Sequence, residues 1–251
     1  MSEKTAVILA AGRGSRLKEM TLEQPKPMVE VNHKSIIANL IEHLIDCRID
    51  HIVLLVGYMA DKLQDHLAWY NEKVKLTFIN NKIYDKTNNI YTLWLAKKYL
   101  KNGFYLFEAD IFCEREIIYQ LLNDQRDNIM VVDKYNHLMN GTVIVHANEY
   151  DRVKKMYLKK NQGEHFDYSK AYKTVNFYKI SKNLASHYFL SRLDYYIDNK
   201  DVDAYYELIV ENAIEAGFDF YSLKTGSLKW WEIDTSDDLE IARKSFEIEE
   251  S

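Results

Sequence analysis

Hydrophobic and polar positions along this chain alternate between two rhythms. Short apolar runs at residues 5–11, 51–57, 75–80 and 104–108 read as buried strands. Between them, residues 35–47 carry Ile36, Ile37, Leu40, Ile41, Leu44 and Ile45 at helical spacing, and 60–70 and 90–100 also read as helices. Strands alternating with helices predict βαβ units: a mostly parallel central sheet with helices on both faces and right-handed crossovers. Ligands of such sheets bind beyond the carboxyl ends of the strands.

After a helix at 114–122 the rhythm changes. Residues 128–134, 141–146 and 174–180 read as strands with little helix between them. The polar stretch 153–168 reads as a hairpin or flap. Helices follow at 182–199 and 204–216, short strands at 218–223 and 230–233, and a closing helix at 236–245. Thr235 or Ser236 is its N-cap, and Asp237 and Asp238 complement the dipole of its first turn. No repeat, low-complexity segment or linker interrupts the 251 residues. The expectation is one α/β domain: a nucleotide-handling half to about residue 125, a second half over 126–235 that inserts the acceptor site, and a closing segment over 236–251.

Composition narrows the function classes. A net charge of -5 gives no basic surface for nucleic acid. No apolar run reaches the roughly 20 residues of a membrane span, and Met1-Ser2-Glu3-Lys4 leads directly into the first strand. A cytoplasmic protein is expected. Cys47 and Cys113 form no CxxC pair, so they read as structural thiols rather than zinc ligands.

The first chemistry lies in Leu9-Ala10-Ala11-Gly12-Arg13-Gly14-Ser15-Arg16, directly after the first strand. Glycine lets the backbone approach a ligand closely, and successive N–H groups can cradle phosphate oxygens. Arg16 adds a forked cation. The turn is neither a Walker loop nor a dinucleotide fingerprint, because GK[ST] and the third glycine are missing. The missing glycine also disfavours a nicotinamide-dependent oxidoreductase. Further on comes Pro25-Lys26-Pro27-Met28. The prolines stiffen the backbone around Lys26, and Pro27 predicts an extended Lys26. Such a lysine suits clamping a triphosphate; taken alone, the tripeptide reads equally as a rigid loop with a solvated lysine.

LAAGRGSRL followed by QPKPMVEV resembles the signature of the nucleotidyltransferases that activate sugar phosphates and small phosphates. That resemblance implies a Rossmann-like nucleotidyltransferase fold, with Leu9, Ala10, Ala11, Gly12, Arg13, Gly14 and Arg16 gripping the nucleotide phosphates. It also implies that Lys26 activates the α-phosphate, with Arg16 beside it.

Magnesium needs hard oxygen ligands. Asp110 and Asp234 each follow a short apolar strand, in Glu108-Ala109-Asp110 and Glu232-Ile233-Asp234. Either could instead cap the next helix. The resemblance makes them the ligands of Mg²⁺, puts Ala109 beside the nucleotide, and leaves Glu108 as a supporting group or substrate contact.

Asn88-Asn89-Ile90-Tyr91-Thr92-Leu93 is, as plain sequence, a helix cap and an amphipathic helix. It also resembles the NN-x-Y-S-L segment of cytidylyltransferases acting on phosphocholine and 2-aminoethylphosphonate. That resemblance and Gly57-Tyr58 imply CTP as the donor. For the acceptor, Lys173 to Asn176 resemble the YKTVN stretch of the same enzymes, with Lys173 on the acceptor phosphate and Asn176 nearby. Val202 to Glu207 resemble the acidic-aromatic segment that receives the quaternary amine in the phosphocholine enzymes, which implies Asp203, Tyr205 and Tyr206, with Glu232, around an ammonium that aromatic faces and carboxylates attract. They serve equally as packing and surface. The implied reaction joins CMP to a small phosphorylated, amine-bearing acceptor: phosphoglutamine of capsular phosphoramidate synthesis first, then phosphocholine or 2-aminoethylphosphonate. A sugar-1-phosphate enzyme and a catalytically silent nucleotide-binding subunit are the rivals, and both monomer and homodimer stay open.

Overall fold

A computed structural model describes residues 3–138, 140–146 and 150–247. Met1, Ser2 and the last four residues of the closing segment, 248–251, lie outside the described residues. The elements run β1 (Thr5–Ala10), β2 (Glu30–Val31), β3 (Lys34–Ser35), α1 (Ile36–Asp46), β4 (His51–Val56), α2 (Ala60–Leu67), β5 (Lys75–Asn80), α3 (Asn89–Leu95), α4 (Lys97–Leu100), β6 (Phe104–Glu108), β7 (Ile111–Cys113) and α5 (Arg115–Asn123). They continue with β8 (Ile129–Lys134), β9 (Val143–His146), β10 (Val153–Tyr157), β11 (Tyr172–Ile180), α6 (Lys182–Leu184), α7 (Leu190–Asp198), α8 (Glu207–Glu215), β12 (Tyr221–Lys224), β13 (Trp230–Glu232) and α9 (Ser236–Ser245).

The expected parallel core is present as β5-β4-β1-β6. Its strands are apolar almost throughout because both faces are covered. Ala6, Ile8 and Ala10 of β1 pack with α1, α2 and α5, while Val7 joins the opposite cluster with α3, α7 and α8. The period of two in a strand sends alternate side chains to these two cores.

The second half joins antiparallel. β11 pairs with β6 and β9 along one edge and with β8 along the other, and β10 extends the sheet from β9. The segment expected as a flap therefore begins as a sheet strand. Val153 and Met156 of β10 are buried, so two apolar positions among lysines suffice to seat it. Register shifts between Thr174 and Tyr178 of β11, where Asn176 takes a positive φ of 60°. This bulge re-aims Asn176 toward the site.

A smaller pairing was not anticipated from the sequence. β7 and β13 form their own antiparallel ribbon, and Ile233 N donates to Asp110 O at 2.9 Å. Beneath it, Leu17, Val29, Ile36, Phe112, Ile233 and Leu239 make a separate buried cluster. α9 closes over this cluster. Thr235 is its N-cap in a reciprocal capping box with Asp238. Cys113 is buried and Cys47 half-buried, both as free thiols. Among the described residues no helix is long and apolar enough to cross a membrane.

Candidate active site

The turn after β1, the start of α3 and the end of β6 enclose a cavity of about 360 Å³ at the carboxyl ends of the parallel strands. Of the residues expected there, Leu9, Ala10, Ala11, Gly12, Gly14, Arg16, Lys26, Asn88, Asn89, Ala109, Asp110 and Asp234 line it. Ser15 and Thr92, from the same two motifs, also line it, as do Tyr84 and Thr87, which only the fold indicates. Gly14 has φ 68°, the left-handed value that favours glycine. A Cβ there would also stand 2.6 Å from the Cβ of Lys26.

Lys26 departs from its expected backbone. Residues Lys26–Met28 form a 3-10 turn, closed by Met28 N to Pro25 O at 2.9 Å and Val29 N to Lys26 O at 3.0 Å. Pro27 is tolerated because the start of a helical turn needs no N–H donor from it. The extended residue is Pro25, at ψ 150°.

The side chain of Lys26 is buried and doubly paired. Its Nζ lies 2.9 Å from Asp110 Oδ2 and 2.6 Å from Asp234 Oδ1. Arg16 Nη2 reaches the same Asp234 oxygen at 2.9 Å. Burial on its own would lower the lysine pKa, but the two carboxylates outweigh it and hold the ammonium charged well above its ordinary range. Burial likewise works to raise Asp234, and Lys26 and Arg16 bring it below the usual carboxylate value. Neither aspartate caps the helix that follows it: Asp110 leads into β7, and Thr235 caps α9.

The residues present fit a divalent cation. Asp110 Oδ1 is buried and accepts no hydrogen bond. Carboxylate oxygens of Glu108, Asp110 and Glu232 all lie within 4.8 Å of one another. Such hard, anionic oxygens are the donor set magnesium takes.

Gly57, Tyr58 and Arg13 stand behind the cavity wall. A Cβ on Gly57 would sit 2.8 Å from both Ala11 O and the Cβ of Tyr84, so glycine allows the two turns to touch. Tyr58 donates to Thr21 O at 2.9 Å, and the guanidinium of Arg13 lies over its ring. This layer supports the phosphate turn from below.

The acceptor-side expectations are redistributed. Asp203 and Tyr205 are exposed and line neither this cavity nor its neighbour. Tyr206 is fully buried; its hydroxyl donates to Glu108 Oε1 at 2.9 Å rather than its ring facing a ligand. Lys173 is 1% exposed, with Nζ 3.0 Å from Glu232 Oε2 and 2.6 Å from Thr174 O. It is a counter-ion within the wall and presents no free ammonium to an acceptor phosphate. Asn176 Nδ2 donates to Glu108 Oε2 at 3.1 Å. Asn89 accepts from Tyr206 N at 2.8 Å and donates to Glu207 Oε2 at 3.4 Å. Asn89 thus ties this wall of the cavity to the start of α8.

Glu108, Glu207 and Glu232 lie close enough to act on one another, and Glu232 bonds Lys173. Burial, followed by Asp110, Glu207 and Glu232, pushes the Glu108 carboxyl well above its ordinary value. Burial raises Glu207 to about 7. Burial also raises Glu232, against the opposing pull of Lys173. Glu207 ends the acidic-aromatic segment, but its burial was not anticipated, because an acid in the first turn of a helix reads as dipole complementation. A second cavity of about 300 Å³, sharing Arg16 and Asp234, continues past this group between Trp231, Glu232 and Asn140.

Known proteins share both the sequence and this architecture. The profile of the family described as Nucleotidyl transferase matches residues 5–156, more than half of the chain. CTP:phosphoglutamine cytidylyltransferase of Campylobacter jejuni is 30% identical over 94% of this chain and 98% of its own length. Choline-phosphate cytidylyltransferase of Streptococcus pneumoniae is 31% identical over 83% of this chain and 90% of its own. A CMP-5'-(3-aminopropyl)phosphonate synthase of Streptomyces rubellomurinus is 27% identical, and the chain spans 37% of its length. Among solved structures, CTP:phosphocholine cytidylyltransferase from Streptococcus pneumoniae superposes with a TM-score of 0.80 at 27% identity, covering 98% of this chain and 100% of that one.

Proposed function

The chain belongs to the nucleotidyl transferase family, and on that premise we propose that it is a CTP-dependent cytidylyltransferase acting on a small phosphorylated, amine-bearing acceptor. The observation that carries this reading is Lys26 held between Asp110 and Asp234, against the Gly14 turn. Correspondence with cytidylyltransferases along most of the chain supports CTP. Phosphoglutamine is ranked first among acceptors because that relative is matched over 98% of its length. Phosphocholine and 2-aminoethylphosphonate follow.

In the proposed reaction an anionic acceptor oxygen attacks the α-phosphorus of CTP in line. The new O–P bond forms as the bond to the bridging oxygen breaks, and pyrophosphate leaves with that electron pair. The nucleophile is already ionised near neutral pH, so no general base is needed. N–H groups of the Gly12–Gly14 turn hold the leaving phosphates, and Arg16 and Lys26 neutralise charge as it develops. Mg²⁺, which Asp110 and Asp234 would hold, supplies Lewis-acid stabilisation of the same charge. The carboxylates of Glu108, Glu207 and Glu232 suit the acceptor's ammonium.

The test is pyrophosphate release over a panel crossing CTP, UTP, dTTP and GTP with phosphoglutamine, phosphocholine, 2-aminoethylphosphonate and glucose 1-phosphate. Turnover with CTP and an amine-bearing acceptor is expected. Turnover confined to UTP or dTTP with the sugar phosphate sinks the reading in favour of a sugar-nucleotide enzyme. CTP binding without turnover on any acceptor favours a silent regulatory subunit.

A further inference from the structure

Lys26 bonds the very carboxylates that the preceding reading gives to a divalent cation. Asp110 Oδ2 and Asp234 Oδ1 both accept from its ammonium, and Arg16 shares the second oxygen. A metal ion drawing on those oxygens competes with the ammonium and is repelled by it. An ion that took Asp110 Oδ2 and Asp234 Oδ1 would occupy the ammonium's own place. The backbone on either side is fixed by Pro25 and Pro27, whereas the four-carbon stem of a lysine is flexible. The stem also crosses the phosphate turn in contact with it, since a Cβ on Gly14 would stand 2.9 Å from Lys26 Cδ. A phosphate arriving at that turn lies within a side chain's reach of the ammonium.

We propose that Lys26 is the protein's own counter-ion for its cation-binding carboxylates, exchanged between them and the nucleotide. While Lys26 bonds Asp110 and Asp234, a divalent ion is held weakly. When triphosphate oxygens settle on the Gly12–Gly14 turn, the ammonium moves to them and the carboxylates open to the ion. Nucleotide and metal then bind cooperatively, each strengthening the other by the same factor. The proposal rests on Asp110 and Asp234 being cation ligands.

The experiment titrates Mn²⁺, a paramagnetic ion that accepts the same oxygen ligands, into the full nucleotide-free chain, reading free Mn²⁺ by electron paramagnetic resonance. Wild type is compared with Lys26→Met, Lys26→Gln and each of these combined with Asp110→Asn. Gln retains a hydrogen-bond donor for the carboxylates, so it serves if the Met variant fails to fold. Removing the ammonium should tighten Mn²⁺ binding by about tenfold or more, within the usual range of coupling between sites. Mn²⁺ should also raise the variant's melting temperature more than it raises that of wild type. Unchanged or weaker binding in the folded variants, with Asp110→Asn still lowering affinity, overturns the exchange and leaves the ligand assignment standing. A gain that survives Asp110→Asn overturns both, because the ion then binds elsewhere.

Discussion

The first half of the site presents its functional groups from turns that follow strands, whereas the second half draws Glu108 from β6, Lys173 and Asn176 from β11, Glu207 from α8 and Glu232 from β13. In the first half, Gly12, Gly14, Arg16 and Lys26 line an open cavity, and two carboxylates meet one ammonium and one guanidinium. In the second, Glu232 bonds the buried Lys173, Glu108 accepts from Tyr206 and Asn176, and Glu207 accepts from Asn89. Two charges of each sign balance around Lys26, whereas burial raises all three glutamates of the second group above their ordinary values.

Asp110→Ala tests that division most severely. It removes one of the two carboxylates that bond Lys26, and turnover measured by pyrophosphate release should fall about a thousandfold. Metal-dependent turnover near wild type would show that the carboxylates beside Lys26 are not the cation's ligands.

A smaller effect is expected from Lys173→Met. It leaves Glu232 without its counter-ion, and breaking a buried pair by removing one partner costs about 3 kcal/mol. Melting followed by circular dichroism should show the loss, and adding Glu232→Gln should recover part of it. An unchanged melting temperature would mean that the second half does not depend on its one buried cation.

The mildest probe uses pH. The Glu207 carboxyl is raised to about 7 in the folded protein, so between its ordinary value near 4.5 and 7 the folded state binds the proton more tightly than the unfolded chain. That contribution to stability is complete below the ordinary value and is lost as pH rises through about 7. Urea melts from pH 5 to 8 should therefore show a stability decline that is shallower in Glu207→Gln. Equal slopes would show that Glu207 does not carry the strain of the glutamate group.

How much was legible follows the same division. The parallel strands, the phosphate turn and Lys26 could be read because each is a local pattern: an apolar run, glycines directly after it, prolines flanking a lysine. The asparagine pair was legible as a helix cap, and Asn88 does accept from Asn89 N at 2.8 Å. Asn89's second task, bonding Tyr206 and Glu207, lies 117 and 118 residues away and leaves no local trace. Lys173, Tyr206 and Glu232 were expected as ligand contacts, and the fold adds bonds the sequence does not announce, from Lys173 to Glu232 and from Tyr206 to Glu108. A tyrosine in a tyrosine-rich segment carries no mark of which face will be buried.

Sequence by itself determined the α/β core, the phosphate turn and the lysine, because strand periodicity and turn geometry are decided by neighbouring residues. Tertiary structure alone decided that Lys26 meets Asp110 and Asp234, 84 and 208 residues away. The meeting depends on the β7–β13 ribbon, three residue pairs that a scan for long apolar runs passes over. Register between short strands is set by the apolar cluster packed beneath them and by α9 closing over it. A carboxylate's role as cap, counter-ion or cation ligand follows from which charges that packing brings within hydrogen-bonding distance.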